Sequence, residues 1–191
     1  VKTNLSVVEF GSLVDEARKQ GKSIAETFLS CHTIIIFDSS GSMADHDSRG
    51  GMTRYDVALE ELKNIQANHA GKIGIITFSS TVEFTPSGHP PFLGGGTNLT
   101  SALEFAKVAD VPGIEFIVIS DGCPDDEYSA INVARTYKNK INVVYAGPEG
   151  TLDYYDGRGF LKRLAEASGG VMVTADRAIG LESKVNLLLG H

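Results

Sequence analysis

Five short, continuous apolar runs constrain this chain more than any other feature: residues 33–37 (TIIIF), 73–78 (IGIITF), 114–119 (IEFIVI), 141–145 (INVVY) and 171–174 (VMVT). They are rich in Ile and Val, and most do not alternate with polar residues. Strands covered on both faces read this way. A further segment, 81–84, follows Phe78 after only Ser79 and Ser80. So tight a link joins antiparallel neighbours, which predicts an edge hairpin strand there.

Helical patterns fill the intervals. Residues 54–69 carry Ala58, Leu62 and Ile65 on one face, with Thr53 as a candidate N-cap and Gly71 beyond the end. Residues 99–109 align Leu99, Ala102, Leu103 and Ala106, and residues 126–138 align Ala130, Val133, Ala134 and Tyr137. Residues 159–168 present Phe160, Leu161 and Leu164, and residues 177–189 are expected to form a closing helix. These stripes are read as core. Strand alternating with helix predicts the α/β class: a Rossmann-like, doubly wound, mostly parallel sheet with one short antiparallel edge strand and helices on both faces. Residues 1–31 precede the first strand and are expected to be a helical extension or linker, with helices at 10–20 and 23–29 broken at Gly21. Residues 32–191 make up the α/β domain, a size at which one core suffices.

In such sheets ligands sit outside the carboxyl ends of the strands. After TIIIF comes Asp38-Ser39-Ser40-Gly41-Ser42, and if the loop stays extended, Asp38, Ser40 and Ser42 point the same way. After IEFIVIS comes Asp121, again at a carboxyl end. Before the Leu99 helix, Gly94-Gly95-Gly96 permits close backbone approach and sets Thr97 at a helix N-terminus, where a plain N-cap is the simpler role. Two carboxylates and three hydroxyls form an all-oxygen set that suits Mg²⁺, Mn²⁺ or Ca²⁺ rather than zinc or copper. The two carboxylates balance a divalent ion, and Mg²⁺ keeps several waters, so one position stays replaceable by an acidic group of another molecule.

The chain here resembles the von Willebrand factor type A domain family, whose metal-ion-dependent adhesion site has the pattern Asp-x-Ser-x-Ser, then a Thr, then an Asp. FDSSGSM supplies Asp38, Ser40 and Ser42, GGGTNLTSAL supplies Thr97, and VISDGCPDD supplies Asp121, over a resemblance spanning roughly residues 32–189. It implies direct metal ligation by Ser40, Ser42 and Thr97, with Asp38 and Asp121 acting directly or through water. It further implies a partner protein whose Asp or Glu completes the sphere.

Other features narrow the function. A net charge of −7, with Lys and Arg scattered, argues against nucleic-acid binding. No run approaches the length of a membrane span, and the N-terminus lacks a basic start followed by an apolar block, so a cytoplasmic location is expected. Spacing leaves open whether Cys31 and Cys123 pair. The glycine run lacks the following Lys of a phosphate loop, and the five histidines show no zinc-ligand spacing. Asp45, Asp47, Asp125 and Asp126 form an acidic rim, and Tyr154 and Tyr155 offer a contact patch. The expected function is therefore a metal-dependent protein–protein interaction module that performs no catalysis. The alternatives are a metal-assisted hydrolase, with a base drawn from Asp45, His46 or Asp125, or a component of a nucleic-acid-binding complex. Oligomeric state is not legible.

Overall fold

The apolar runs pack as strands because each has two faces to bury. In a computed structural model, which describes residues 7–147 and 157–174, β1 (Thr33–Asp38) is buried along its whole length. Its side chains alternate between two cores, with Ile34 and Ile36 in one and Ile35 and Phe37 in the other. β4 (Glu115–Ser120) repeats the pattern, with Phe116 and Val118 on the first side and Ile117 and Ile119 on the second. Period-2 geometry thus turns one apolar run into two half-cores.

The sheet has six strands in the order β3-β2-β1-β4-β5-β6. β2 (Ile73–Phe78), β5 (Ile141–Tyr145) and β6 (Met172–Thr174) join β1 and β4 in parallel pairings. β3 (Val82–Phe84) runs antiparallel to β2 at the edge, as the short link requires. The chain passes from β1 to β2 on one side and later places β4 on the other side of β1. The switch point, and the crevice that goes with it, therefore lies between the carboxyl ends of β1 and β4.

Helices cover both faces. α3 (Arg54–Asn68) lies on one, and its N-cap Thr53 accepts from the Asp56 N–H. α4 (Leu99–Ala106), α5 (Glu127–Ala134) and α6 (Gly157–Ala167) lie on the other. α4 passes into a 3-10 turn at Lys107–Ala109, and α5 stops four residues short of the expected end, although Tyr137 stays buried beneath its continuation. The expected helix at 177–189 and the patch at Tyr154 and Tyr155 lie outside the described residues.

Before the sheet come α1 (Leu13–Gln20) and α2 (Ile24–Phe28), separated at Gly21 in the left-handed conformation. α1 starts three residues later than the sequence pattern suggests. Gly11 has φ 76 and lies so close to α3 that a Cβ would meet the Gln66 carbonyl oxygen at 2.4 Å, and Ser12 then caps the helix. Leu13 and Ala17 are buried, and the Glu9 and Val14 N–H groups donate to the Ser87 and Pro86 carbonyls. No helix among the described residues is long and apolar enough to cross a membrane. Both cysteines are free thiols, Cys31 buried and Cys123 exposed.

Candidate metal centre

Asp38 ends β1 with no solvent exposure, and the scaffold uses both of its oxygens. Oδ1 accepts from the Ser40 N–H at 2.8 Å, and Oδ2 accepts from the Ser120 hydroxyl at 2.6 Å. Burial, and then the neighbouring Asp121 charge, push its carboxyl up to about 6. Asp38 and Asp121 therefore feel one another across the β1–β4 switch point.

The serines converge by a route the sequence pattern does not give. Ser40 is extended, but the chain then enters a 3-10 turn at Gly41–Ala44, so strand alternation is not what aligns Ser42. The turn itself carries Ser42 Oγ to 3.3 Å from Ser40 Oγ. Three loops are laced together around this pair. Gly41 N–H donates to the Gly95 carbonyl at 3.0 Å, and Gly94 N–H to the Ser39 carbonyl at 2.9 Å. The Ser39 hydroxyl donates to the Pro91 carbonyl and accepts from the Leu93 N–H. A Cβ at Gly41 would stand 3.2 Å from the Gly95 oxygen, a tight approach that a glycine between the two serines leaves open.

Thr97 follows the glycine run but does not cap the helix. Asn98 does, accepting from the Ser101 N–H, so the plain N-cap role is excluded for Thr97. Its backbone instead ties the glycine loop to the loop after β4. Thr97 N–H donates to Asp125 Oδ1 at 3.0 Å, and Asp125 N–H returns a bond to the Thr97 carbonyl.

Asp121 is buried, and its two oxygens differ. Oδ2 accepts from Arg54 Nη1 at 2.7 Å, whereas Oδ1 is buried and has no hydrogen-bond partner among the described residues. Gly122, at φ 95, lets this turn pass against α6, where a Cβ would meet the Gly157 oxygen at 2.3 Å. Arg54 is the site residue that sequence reasoning missed. It is the first residue of α3, where the helix dipole disfavours a cation, and that misplacement was the available signal.

The structure thus brings Asp38, Ser40 and Ser42 into direct contact, sets Asp121 within electrostatic reach, and ties Thr97 to the same loops through its backbone. The rim acids are mostly committed. Asp47 pairs with Arg54, Asp125 holds Thr97, and Asp126 caps α5. Among the described residues no three His, Cys, Asp or Glu side chains gather as a cation cluster, so a centre here rests on hydroxyls. That donor set, with one buried carboxylate oxygen left unpartnered, fits a hard divalent cation.

No protein-family model matches the chain, and no curated protein matches it in sequence. Solved structures do. An aerotolerance-related membrane protein from Bacteroides fragilis superposes with a TM-score of 0.65 at 17% identity, over 82% of this chain and 97% of that one. Proximal thread matrix protein 1 from the mussel byssus gives 0.58 at 17% identity, over 92% of this chain and 51% of the other. The manganese-loaded TRAP protein of Plasmodium vivax gives 0.54 at 15% identity, over 80% and 72%. At these identities the likeness is one of fold.

Proposed function

The chain has a von Willebrand factor type A-like fold, and on that fold we propose a metal-dependent protein–protein interaction module. Ser40, Ser42, Thr97, Asp38 and Asp121 would hold Mg²⁺, Mn²⁺ or Ca²⁺ directly or through water. The observation that carries this proposal is Asp121 Oδ1, a buried carboxylate oxygen without a partner beside a laced hydroxyl pair. A buried carboxylate oxygen without a partner is expensive to keep, even with Arg54 on its neighbour, and an incoming cation would remove that cost. Manganese in the structurally similar TRAP protein supports the same ligand class.

Bound there, a divalent ion supplies a strong local positive charge for a partner's Asp or Glu, because neutral hydroxyls donate little. The chain's own part is to keep that ligand set rigid. Backbone bonds between the β1 loop, the glycine run and the β4 loop fix the hydroxyls before anything binds. The hydrolase alternative finds less support, because two of its three candidate bases are engaged: Asp125 holds the Thr97 N–H, and His46 Nδ1 lies against the Gly51 carbonyl.

The test is capture of a partner in Mg²⁺, repeated with EDTA, with Ser40→Ala and Ser42→Ala combined, and with the partner's acid changed to Ala. Each change is expected to abolish capture. Binding that survives all three would place recognition on a metal-independent face and overturn the proposal.

A further inference from the structure

Resting on that proposal, we infer that Arg54 is the positioning residue of the centre: anchored by Asp47, it occupies Asp121 Oδ2 and thereby reserves Oδ1 for the ion. The division of its hydrogen bonds carries the inference. Arg54 Nε and Nη2 donate to the two oxygens of Asp47 at 2.8 and 2.5 Å, so the paired face of the guanidinium goes to a side chain that is 39% exposed. Only Nη1 reaches Asp121, whose side chain is 1% exposed, and it takes a single oxygen.

Stability alone favours the reverse arrangement. A bidentate pair is stronger than a single bond, and a charge pair gains most where solvent is excluded. An arginine serving only to neutralise Asp121 would turn its fork on the buried carboxylate and satisfy both oxygens. Asp47 prevents this by holding the fork outward, and the Asp121 atom left over is the unpartnered one. Ion pairing keeps the guanidinium charged, since the hydrogen bonds it donates to Asp47 and Asp121 raise its pKa against the opposing effect of burial.

The charges agree with this assignment. Asp47 and Asp121 hold one guanidinium, and Asp38 adds a third carboxylate beside Asp121, leaving a shortfall that one divalent ion makes up with Arg54 still in place. Asp45 approaches Arg54 at 3.4 Å but is 62% exposed, and solvent screens it. The Arg54 N–H also donates to the Asp45 carbonyl, so the rim loop and the ion site meet in one residue.

Calorimetric titration with Mn²⁺, paired with thermal unfolding of the metal-free protein, tests the assignment. Arg54→Ala is expected to weaken Mn²⁺ binding about 10- to 100-fold, the usual effect of removing a group that orients a ligand. Asp47→Ala is expected to weaken it further, because the released fork then covers both Asp121 oxygens. Combining the two substitutions should return affinity to the Arg54→Ala level, a reversal that general loosening of the fold does not produce. Arg54→Lys keeps the cation and one hydrogen bond without the fork, and should fall between wild type and Arg54→Ala. Arg54→Ala binding Mn²⁺ as tightly as wild type, or more tightly, would make Arg54 a bystander or a competitor of the ion and overturn the inference alone. Wild-type protein that takes up no divalent ion would overturn the proposed function, and the inference with it.

Discussion

The two ends of β4 carry the same defect and differ in everything around it. Glu115 opens the strand and Asp121 follows its end, and each keeps one buried carboxylate oxygen with no hydrogen-bond partner among the described residues. At the amino end, only the Lys140 charge offsets the burial that raises the Glu115 pKa. At the carboxyl end, Arg54 is bonded to the acid, and the loops after β1 and β4 and before α4 converge with hydroxyls in contact. A stranded acid is thus a local cost, and it becomes a candidate binding site only where other oxygen atoms gather. Parallel topology makes that asymmetry, because loops bearing ligands meet at the carboxyl side of a switch point.

Removing each acid should separate the two ends most widely in metal binding. Asp121→Asn is expected to weaken Mn²⁺ binding by more than about 100-fold, beyond the loss from an orienting group, since it changes a proposed ligand itself. Glu115→Gln should leave the titration unchanged. Equal losses from the two substitutions would mean that the ion effect is a general response to charge and would erase the distinction.

A smaller contrast lies within the carboxyl end. Asp38→Ala strands two buried donors, the Ser40 N–H and the Ser120 hydroxyl, while also relieving a carboxylate that burial disfavours. The expected net loss is about 2 kcal/mol of stability in the absence of metal. Asp121→Ala removes one Arg54 bond and an unpaired oxygen, and Arg54 keeps its fork on Asp47, so the change should stay within about 1 kcal/mol. Denaturant unfolding of the two variants measures this. The opposite ranking would show that Asp121, and not Asp38, is built into the scaffold.

This contrast marks where sequence reasoning reaches and where it stops. Ile73–Phe78 and Ile141–Tyr145 were legible as strands because a two-sided core demands an unbroken apolar run. The antiparallel β3 followed from a link too short for a crossover. The convergence of Asp38, Ser40 and Ser42 was legible, but for a reason the 3-10 turn replaces. Choosing Asn98 over Thr97 as the α4 cap was out of reach, because both residue types cap well. Arg54 meets Asp121 across 67 residues of sequence, and only its awkward place at a helix N-terminus hinted at a partner elsewhere. Nor does residue type show that Asp38 is consumed by the scaffold while Asp121 keeps an oxygen free.

The smallest expected effect, and the one that sharpens the comparison most, is the pH dependence contributed by Glu115. Burial raises its pKa above the ordinary 4.5, so across the interval above that value the folded protein holds a proton that the unfolded chain has released. Stability falls with rising pH wherever the folded state binds more protons. The contribution of Glu115 is therefore fully present below the unfolded pKa and is lost as pH rises through the folded one. Glu115→Gln keeps the shape and cannot ionise, so it lacks this decline. Unfolding free energies of both proteins, compared from acid to neutral pH, should move steadily in favour of the variant and then level off. A flat difference, or one that moves toward wild type, would mean that Lys140 closes on the carboxylate in solution. The amino end of β4 would then hold a satisfied ion pair, and the unpartnered oxygen at Asp121 would stand alone on the strand.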